Sequence, residues 1–179
     1  STDKTHIEIL KHEHARTRIY RNDKNIKWIR NALMYLNESL LSDEDIIVIL
    51  DGDDWLAHSE VLNRVRAEYE DGAWMTYSLF EYPNGITSSW IPRYSESVLR
   101  NRTFRDVTWS FTHLRTFKSF LWRLLDKNDL RGPNGEYTPY TYDQALLFPM
   151  LEMCQYGKIE FIDNVMYVYN IEKIGRAPV

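Results

Sequence analysis

The sequence predicts an α/β fold in which helices flank a mixed, mostly parallel central sheet. Residues 46–50 are five consecutive branched apolar residues. A run of this kind without alternation is typical of a strand that is covered on both faces in the middle of a parallel sheet. Apolar residues at helical spacing precede and follow the run. We therefore expect one sheet flanked by helices, within a single domain that spans residues 1–179.

Length and composition support a single globular domain. The chain has 179 residues, of which 44% are hydrophobic and 27% charged. These values exclude a disordered or fibrous chain, and the length is sufficient for a hydrophobic core without disulfides. The 7 Phe, 6 Trp and 12 Tyr residues supply rings that stack on sugar or base faces, or that simply fill a core.

The first half of the chain predicts strands and helices in alternation. Alternation over 6–11 predicts a short strand, and apolar residues at helical spacing over 25–41 predict an amphipathic helix. The strand over 46–50 comes next. The helix that follows it ends at Asp71-Gly72 and has four inward residues: Val61, Leu62, Val65 and Tyr69.

The second half predicts a further set of strands and helices. Strands are expected over 73–80 and 86–91, because the turn residues Pro83-Asn84-Gly85 separate two apolar runs. After an irregular basic stretch, apolar spacing predicts a helix over 116–125.

The C-terminal part ends the predicted fold. A helix is expected over 143–156, interrupted by Pro149 and stopped by Gly157. Two short strands over 159–163 and 165–169 follow, and we expect a loose tail over 171–179.

Charge and cysteine usage exclude some classes of function. The net charge of −4 argues against a general nucleic-acid-binding protein. From Arg93 to Arg131, however, nine basic residues stand against four acidic ones, either as a solvated face or as a place to hold an anion. The single cysteine, Cys154, fits a reducing compartment, and we place it in the core. No apolar run is long enough for a membrane span and the N-terminal residues do not form a signal peptide, so we expect a cytoplasmic protein.

The strongest functional pattern is the acidic sequence Asp51-Gly52-Asp53-Asp54 directly after the apolar run. Ligands of open α/β sheets bind beyond the carboxyl ends of the strands. Three carboxylates in four residues repel one another unless they face water or a cation. Oxygen ligands favour Mg²⁺ or Mn²⁺, which bridges well to a diphosphate. The alternative is an acidic turn that caps the next helix.

These residues resemble the DXD motif of the GT-A glycosyltransferases, in particular the family-2-like group, which follows an apolar strand in the same way. The similarity extends to Arg30-Asn31 on the preceding helix and to Tyr142-Asp143-Gln144, which resembles the family's Glu-Asp motif. Residues 1–5 and the closing strands, 157–170, are similar as well. The short, aromatic-rich layout is also similar to the small glycosyltransferase domain of chlorella viruses.

The resemblance implies a metal-dependent, inverting glycosyltransferase with a Rossmann-like GT-A fold. Asp53 would be the main ligand of Mn²⁺ or Mg²⁺, Asp51 would face the donor ribose or the metal, and Asp54 would be a secondary ligand. Asp143 would be the general base, although a carboxylate at a helix start is equally typical of a cap. Arg30 would contact the donor. Family habit favours a UDP-sugar donor, UDP-glucose first, and a hydroxyl acceptor.

This sequence departs from the family in three respects. The initial strand-helix-strand unit of the family, which holds much of its nucleobase pocket, has no counterpart. No histidine follows His113, although some GT-A enzymes use a late histidine as a metal ligand. Tyr142 replaces the Glu of the Glu-Asp motif.

Other residues have a functional and a structural interpretation. Trp55 is placed to wall the sugar site or to pack in the core. Four residues of the basic stretch are candidates for phosphate or acceptor contacts, with structural or surface roles as the alternative: Arg102, Arg105, Trp109 and His113.

Two classes of protein compete with the glycosyltransferase interpretation. Phosphohydrolases of the haloacid-dehalogenase type also have Asp-x-Asp after a strand, but they usually have Thr or Val where this chain has Trp55, and they need a late acidic pair that we do not find. A non-catalytic sugar-binding relative is the second alternative. An EF-hand is excluded, because loop positions six and twelve are Leu56 and Leu62.

Overall fold

A computed structural model describes residues 5–171 except 13, 37–39 and 140. The helices are α1 (Thr5–Leu10), α2 (Lys27–Tyr35), α3 (Val61–Glu70), α4 (Glu96–Asn101), α5 (Ser119–Leu124) and α6 (Tyr142–Met153). The strands are β1 (Ile46–Ile49), β2 (Trp55–Leu56), β3 (Met75–Glu81), β4 (Arg115–Lys118) and β5 (Ile159–Val168). Short 3₁₀ turns cover Phe104–Asp106 and Lys127–Leu130.

The strands form one five-stranded mixed sheet in the order β1-β4-β3-β5-β2. Only the β3–β5 pairing is parallel, whereas β1–β4, β4–β3 and β5–β2 are antiparallel. The prediction of an α/β fold is confirmed, but the prediction of a mostly parallel sheet is not. The difference arises because the chain returns from a long excursion to insert β4 between β1 and β3, running against both.

The apolar run before the acidic turn forms β1, at one end of the strand order rather than in the middle as predicted. It is nevertheless covered on both faces, as its sequence indicates. Ile47 and Ile49 belong to one apolar cluster, and Ile46 and Val48 belong to the other. Successive side chains of a strand point to opposite faces, so β1 contributes to the core on each side of the sheet.

Two predicted strands are wrong. Residues 6–11 fall mainly in α1, whose apolar side chains are exposed and which has an ion pair between Lys11 and Glu8, three residues apart. Residues 86–91 form a tight return instead of a strand. Thr87 forms an isolated bridge with Glu81, and Ser88 donates its backbone N–H to the carbonyl oxygen of Phe80 at 2.8 Å, but no regular strand develops.

The predicted helix over 116–125 begins too early. Residues 115–118 are β4, and the helix α5 begins at Ser119. Phe117 has the apolar character of either element, but here it lies opposite Ile47 and Met75 on the two neighbouring strands. Pairing on both sides therefore overrides the helical spacing.

The C-terminal elements are simpler than predicted. The two short strands are one strand, β5, with a register shift where Ser78 lies opposite Ile162 and Leu79 lies opposite Val165. Helix α6 continues through Pro149 rather than being interrupted there, and it ends at Met153, with Cys154 as the C-cap residue. Most of the tail that we expected to be loose, 172–179, lies outside the described residues.

The structure also bears on the predicted burial of Cys154 and on the search for a membrane-spanning helix. Cys154 is buried in the larger apolar cluster with Leu147, Met150 and Leu151, as the sequence predicts, and burial raises the pKa of its thiol to about 12. Within the described ranges, no helix is both long enough and apolar enough to cross a bilayer.

Helix α5 offers a matched test of core packing. Leu121 is fully buried, whereas Leu124 is 67% exposed on the same helix. We expect Leu121→Ala to lower the free energy of unfolding by about 2–5 kcal/mol, because it leaves a cavity. Leu124→Ala should change it by about 0.5 kcal/mol or less. Urea unfolding of both variants checks this, and equal losses would contradict the packing described.

Candidate functional site

The acidic turn bends the chain directly after β1. The backbone N–H of Asp54 donates to the carbonyl oxygen of Asp51 at 3.2 Å, which closes a turn with Gly52 and Asp53 at its centre. The N–H of Asp51 donates to the hydroxyl of Tyr167 on β5 at 3.3 Å. The strand end and the far side of the sheet are therefore held together at this point.

Tyrosine hydroxyls hold the outer two carboxylates of the turn. Tyr142 donates to Oδ1 of Asp51 at 3.0 Å. Tyr167 donates to Oδ2 of Asp54, while the backbone N–H of Asn170 donates to its Oδ1 at 2.8 Å. Both oxygens of Asp54 are thus engaged by the protein, and Asp51 keeps one oxygen outside these bonds.

The middle carboxylate is the accessible one. Asp53 is exposed and makes no hydrogen bond or ion pair with the described part of the chain. With the second oxygen of Asp51, it provides carboxylate oxygens for a hard cation. The described residues contain no cluster of three metal-ligating side chains. A Mg²⁺ or Mn²⁺ ion here would take its other ligands from phosphate and water, as Mg²⁺ commonly does.

Burial and neighbouring carboxylates shift the pKa values of Asp51 and of the tyrosine hydroxyls that bond to this turn. Burial raises the pKa of Asp51, and the neighbouring Asp54 and Asp53 carboxylates add to the rise. The hydrogen bond from Tyr142 and the positive charge of Arg115 act in the opposite direction. Burial also raises the pKa values of the Tyr142 and Tyr167 hydroxyls, as do their carboxylate partners. Both hydroxyls therefore stay protonated and keep donating.

Asp143 lies in the same region, next to Tyr142 in the first turn of α6. The residue at the N-cap position is Thr141, and among the described residues the Asp143 carboxylate accepts a hydrogen bond only from the adjacent N–H of Gln144, at 2.9 Å. Its Oδ2 lies 3.6 Å from Nη2 of Arg115. Since Tyr142 bonds to Asp51, α6 brings Asp143 to the acidic turn.

Arg115 was not predicted as a site residue, and neither were Tyr167 and Tyr169, whereas its neighbour His113 was. Arg115 is buried on β4, and its Nη2 lies 2.8 Å from Nε2 of His113. The imidazole stacks against Tyr167 and Tyr169, with ring centroids 4.5 and 5.1 Å away. Burial, together with Arg115, lowers the pKa of His113 to about 3, so the ring is neutral and accepts from the guanidinium. No local signal distinguishes Arg115, because it is one of nine basic residues between Arg93 and Arg131.

Of the other predicted donor contacts, Trp55 adjoins this site, whereas Arg30 pairs with a residue outside it. Trp55 follows Asp54 directly and is exposed on β2. Arg30 on α2 is exposed and pairs with Glu136 at 2.6 Å. From the same helix, Trp28 stacks on the ring of Tyr142 with centroids 4.7 Å apart, a contact that no local pattern indicates.

The remaining basic-stretch candidates cluster elsewhere. Arg105 pairs with Glu152 of α6, and Arg102 donates to the carbonyl oxygen of the same residue. Trp109 packs edge-on against Phe148, one turn earlier on that helix. The structure therefore brings His113 to the acidic turn but gathers these three residues around the later half of α6.

Comparison with known proteins identifies a related architecture. No protein-family model and no curated protein matches the chain. Among solved structures, the chain is similar to S. aureus TarS 1-349, whose crystal structure is a complex with UDP-GlcNAc, with a TM-score of 0.58 and 17% sequence identity. The similarity covers 100% of this chain and 50% of TarS 1-349, so the chain spans half of that protein's length. It shows that the chain has a glycosyltransferase-like fold.

The raised pKa of Asp51 predicts that its ionised carboxylate lowers the stability of the folded state in a pH-dependent way. The folded state binds the proton at this carboxyl more tightly than the unfolded chain, whose pKa has the ordinary value of 3.8. The ionised carboxylate therefore opposes folding above the raised pKa, and this cost disappears as the pH falls to the unfolded value. With EDTA present, we expect Asp51→Asn to be more stable than the parent at pH 7, with the difference shrinking on acidification. Urea unfolding across pH measures it, and an Asn variant less stable at pH 7 would contradict it.

Proposed function

We propose that this chain is the catalytic part of a metal-dependent, inverting glycosyltransferase that uses a nucleoside-diphosphate sugar. The observation that carries the proposal is the junction of the acidic turn with Asp143 through Tyr142. It places accessible carboxylate oxygens and a second, separately held carboxylate together at one end of β1. The glycosyltransferase-like fold supports the same function.

The acidic turn would bind the diphosphate side of the donor. Asp53 and the second oxygen of Asp51 would hold Mg²⁺ or Mn²⁺, which supplies charge stabilisation for a departing diphosphate when bound. Asp54, with both oxygens engaged by Tyr167 and Asn170, would position the turn rather than ligate the ion. Trp55, exposed beside it, would form one wall of the sugar site.

Asp143 would act as the general base on the acceptor side. Its carboxylate accepts one local hydrogen bond at Oδ1, and Oδ2 lies 3.6 Å from Nη2 of Arg115. It would take the proton of an acceptor hydroxyl as the oxygen attacks the anomeric carbon. One base and one displacement give inversion at that carbon.

The donor is proposed to be a UDP-sugar. TarS 1-349 was crystallised with UDP-GlcNAc. The resemblance to the GT-A glycosyltransferases makes UDP-glucose a second candidate donor. The first experiment is a thermal-shift screen of nucleotide sugars with and without Mn²⁺, since a ligand of the folded state raises the melting temperature. We expect a shift with a UDP-sugar and Mn²⁺ together.

Turnover then separates the proposal from its alternatives. A glycosyltransferase without acceptor should slowly release UDP from its donor, with water taking the acceptor's place. Faster release of phosphate from p-nitrophenyl phosphate would favour the phosphohydrolase interpretation. Donor binding without any turnover, even with candidate acceptors, would leave a non-catalytic sugar-binding protein.

Metal dependence should reside mainly in Asp53. Asp53→Ala removes the carboxylate that the protein leaves accessible, so UDP should lose most of its Mn²⁺-dependent affinity. Asp54→Asn is the comparison, because both oxygens of Asp54 already bond to the protein. Calorimetric titration with Mn²⁺ or with EDTA measures the difference. Equal UDP affinity with and without metal in the parent protein would overturn this part of the proposal.

Asp143→Asn should separate the roles of base and helix-start residue. Asn preserves the shape and accepts the Gln144 bond, so melting temperature and donor affinity should change little. Turnover should fall roughly 10²–10⁴-fold, the range for loss of a general base. Asp143→Ala controls for the local hydrogen bond, whose loss should also lower stability. An Asn variant with parental turnover would remove Asp143 from the mechanism.

A further inference from the structure

Arg115 is buried without sufficient partners. The residue is only 5% exposed, yet its Nε and Nη1 have no hydrogen-bond acceptor among the described residues. Only Nη2 is engaged, by His113 at 2.8 Å and by Asp143 at 3.6 Å. Burying an arginine usually requires that its donors be satisfied, because unpaired polar groups in the interior are costly.

The Arg115–Asp143 pair differs from the other ion pairs of the described residues. Their side chains are 7% and 24% exposed, and in every other pair at least one partner is more exposed than this. Surface ion pairs interact weakly, whereas a charge inside a site of low polarity acts strongly on its neighbour.

The Arg115 guanidinium is held in position by its contact with His113. His113 is neutral and offers Nε2 as an acceptor, and its ring is fixed against Tyr167 and Tyr169. Tyr167 in turn bonds to Asp54 of the acidic turn. A chain of contacts therefore runs from the turn through His113 and Arg115 to Asp143.

We propose that Arg115 is a positioning residue that acts through Asp143. It places a positive charge beside Oδ2 and directs the carboxylate toward the acceptor side, supported by His113, without touching the substrate. This inference rests on the proposed function, in which Asp143 is the base. The incomplete hydrogen bonding of Arg115 distinguishes this role from a structural one, since a buried ion pair contributes little stability compared with an apolar residue of similar size.

The test compares Arg115→Met, which has a similar reach and no charge, with Arg115→Lys, which keeps a cation. Arg64→Met, where the exposed Arg64 pairs with the partly buried Glu68 on α3, is the control outside the site. Three quantities are measured for each variant: the melting temperature, the donor affinity by calorimetry, and the rate of UDP release. The donor is the nucleotide sugar that the thermal-shift screen identifies with the parent protein. The same Met substitution is then made in the Asp143→Asn background.

For Arg115→Met we expect kcat to fall roughly 10–100-fold, the range seen for outer-sphere partners of a functional group. Donor KM and Kd should stay within about twofold, as for a residue that does not bind the donor. The melting temperature should fall, because removing one member of a largely buried ion pair leaves the Asp143 charge without its partner. Arg115→Lys should recover part of the rate, and Arg64→Met should match the parent. In the Asp143→Asn background, the Met substitution should cause no further loss.

Several results would overturn the inference. If Arg115→Met lowered the rate equally in the parent and in the Asp143→Asn variant, Arg115 would act independently of Asp143. If it lowered donor affinity, Arg115 would be a donor contact. A lysine variant as slow as the methionine variant would exclude a role for its charge. A fall in melting temperature that is as large in the Asp143→Asn background as in the parent would make Arg115 a structural residue, whether or not the parent is active. A parent that turns over no donor is instead a failure of the proposed function.

Discussion

Three carboxylates have to share one half-buried corner of this protein, and most of its architecture around β1 follows from that constraint. Asp51, Asp54 and Asp143 repel one another, so each needs a donor or a cation that another element supplies. Tyr142 comes from α6, Tyr167 from β5 and Arg115 from β4. The corner is therefore assembled only when the sheet is complete.

The strand order explains how these donors meet. Because β4 lies between β1 and β3, Arg115 is paired directly with Ile49, two residues before Asp51. β5 returns along β3 on the other side, and its end brings Tyr167 and Tyr169 to the same edge. The antiparallel insertion of β4 places a cation on the strand next to the acidic turn.

Local sequence patterns predicted the parts of this arrangement that depend on neighbours along the chain. The apolar run and the acidic residues after it define β1 and its turn, and the spacing of Val61 and Val65 defines α3. Asp143 was placed correctly at the start of a helix, because apolar spacing predicts α6, although the helix ends at Met153 rather than at the predicted stop, Gly157. These elements form from contacts within one turn or one strand.

The parts that failed depend on distant partners. Residues 115–118 carry a helical pattern, but strands on both sides pair with them, and 6–11 carry a strand pattern without a strand partner among the described residues. Arg115 looked like one basic residue among many in its stretch. What distinguishes it from Arg105, which pairs with Glu152 at the surface, is burial, and burial is set by the topology.

The buried thiol of Cys154 gives the molecule a built-in reporter. It is the only cysteine of the chain, it lies where α6 ends, and its pKa of about 12 leaves almost no thiolate at neutral pH. A thiol reagent can therefore label the protein only when this end of α6 opens to solvent. The labelling rate thus reports how firmly the helix that carries Tyr142 and Asp143 is anchored to the core, without any introduced probe.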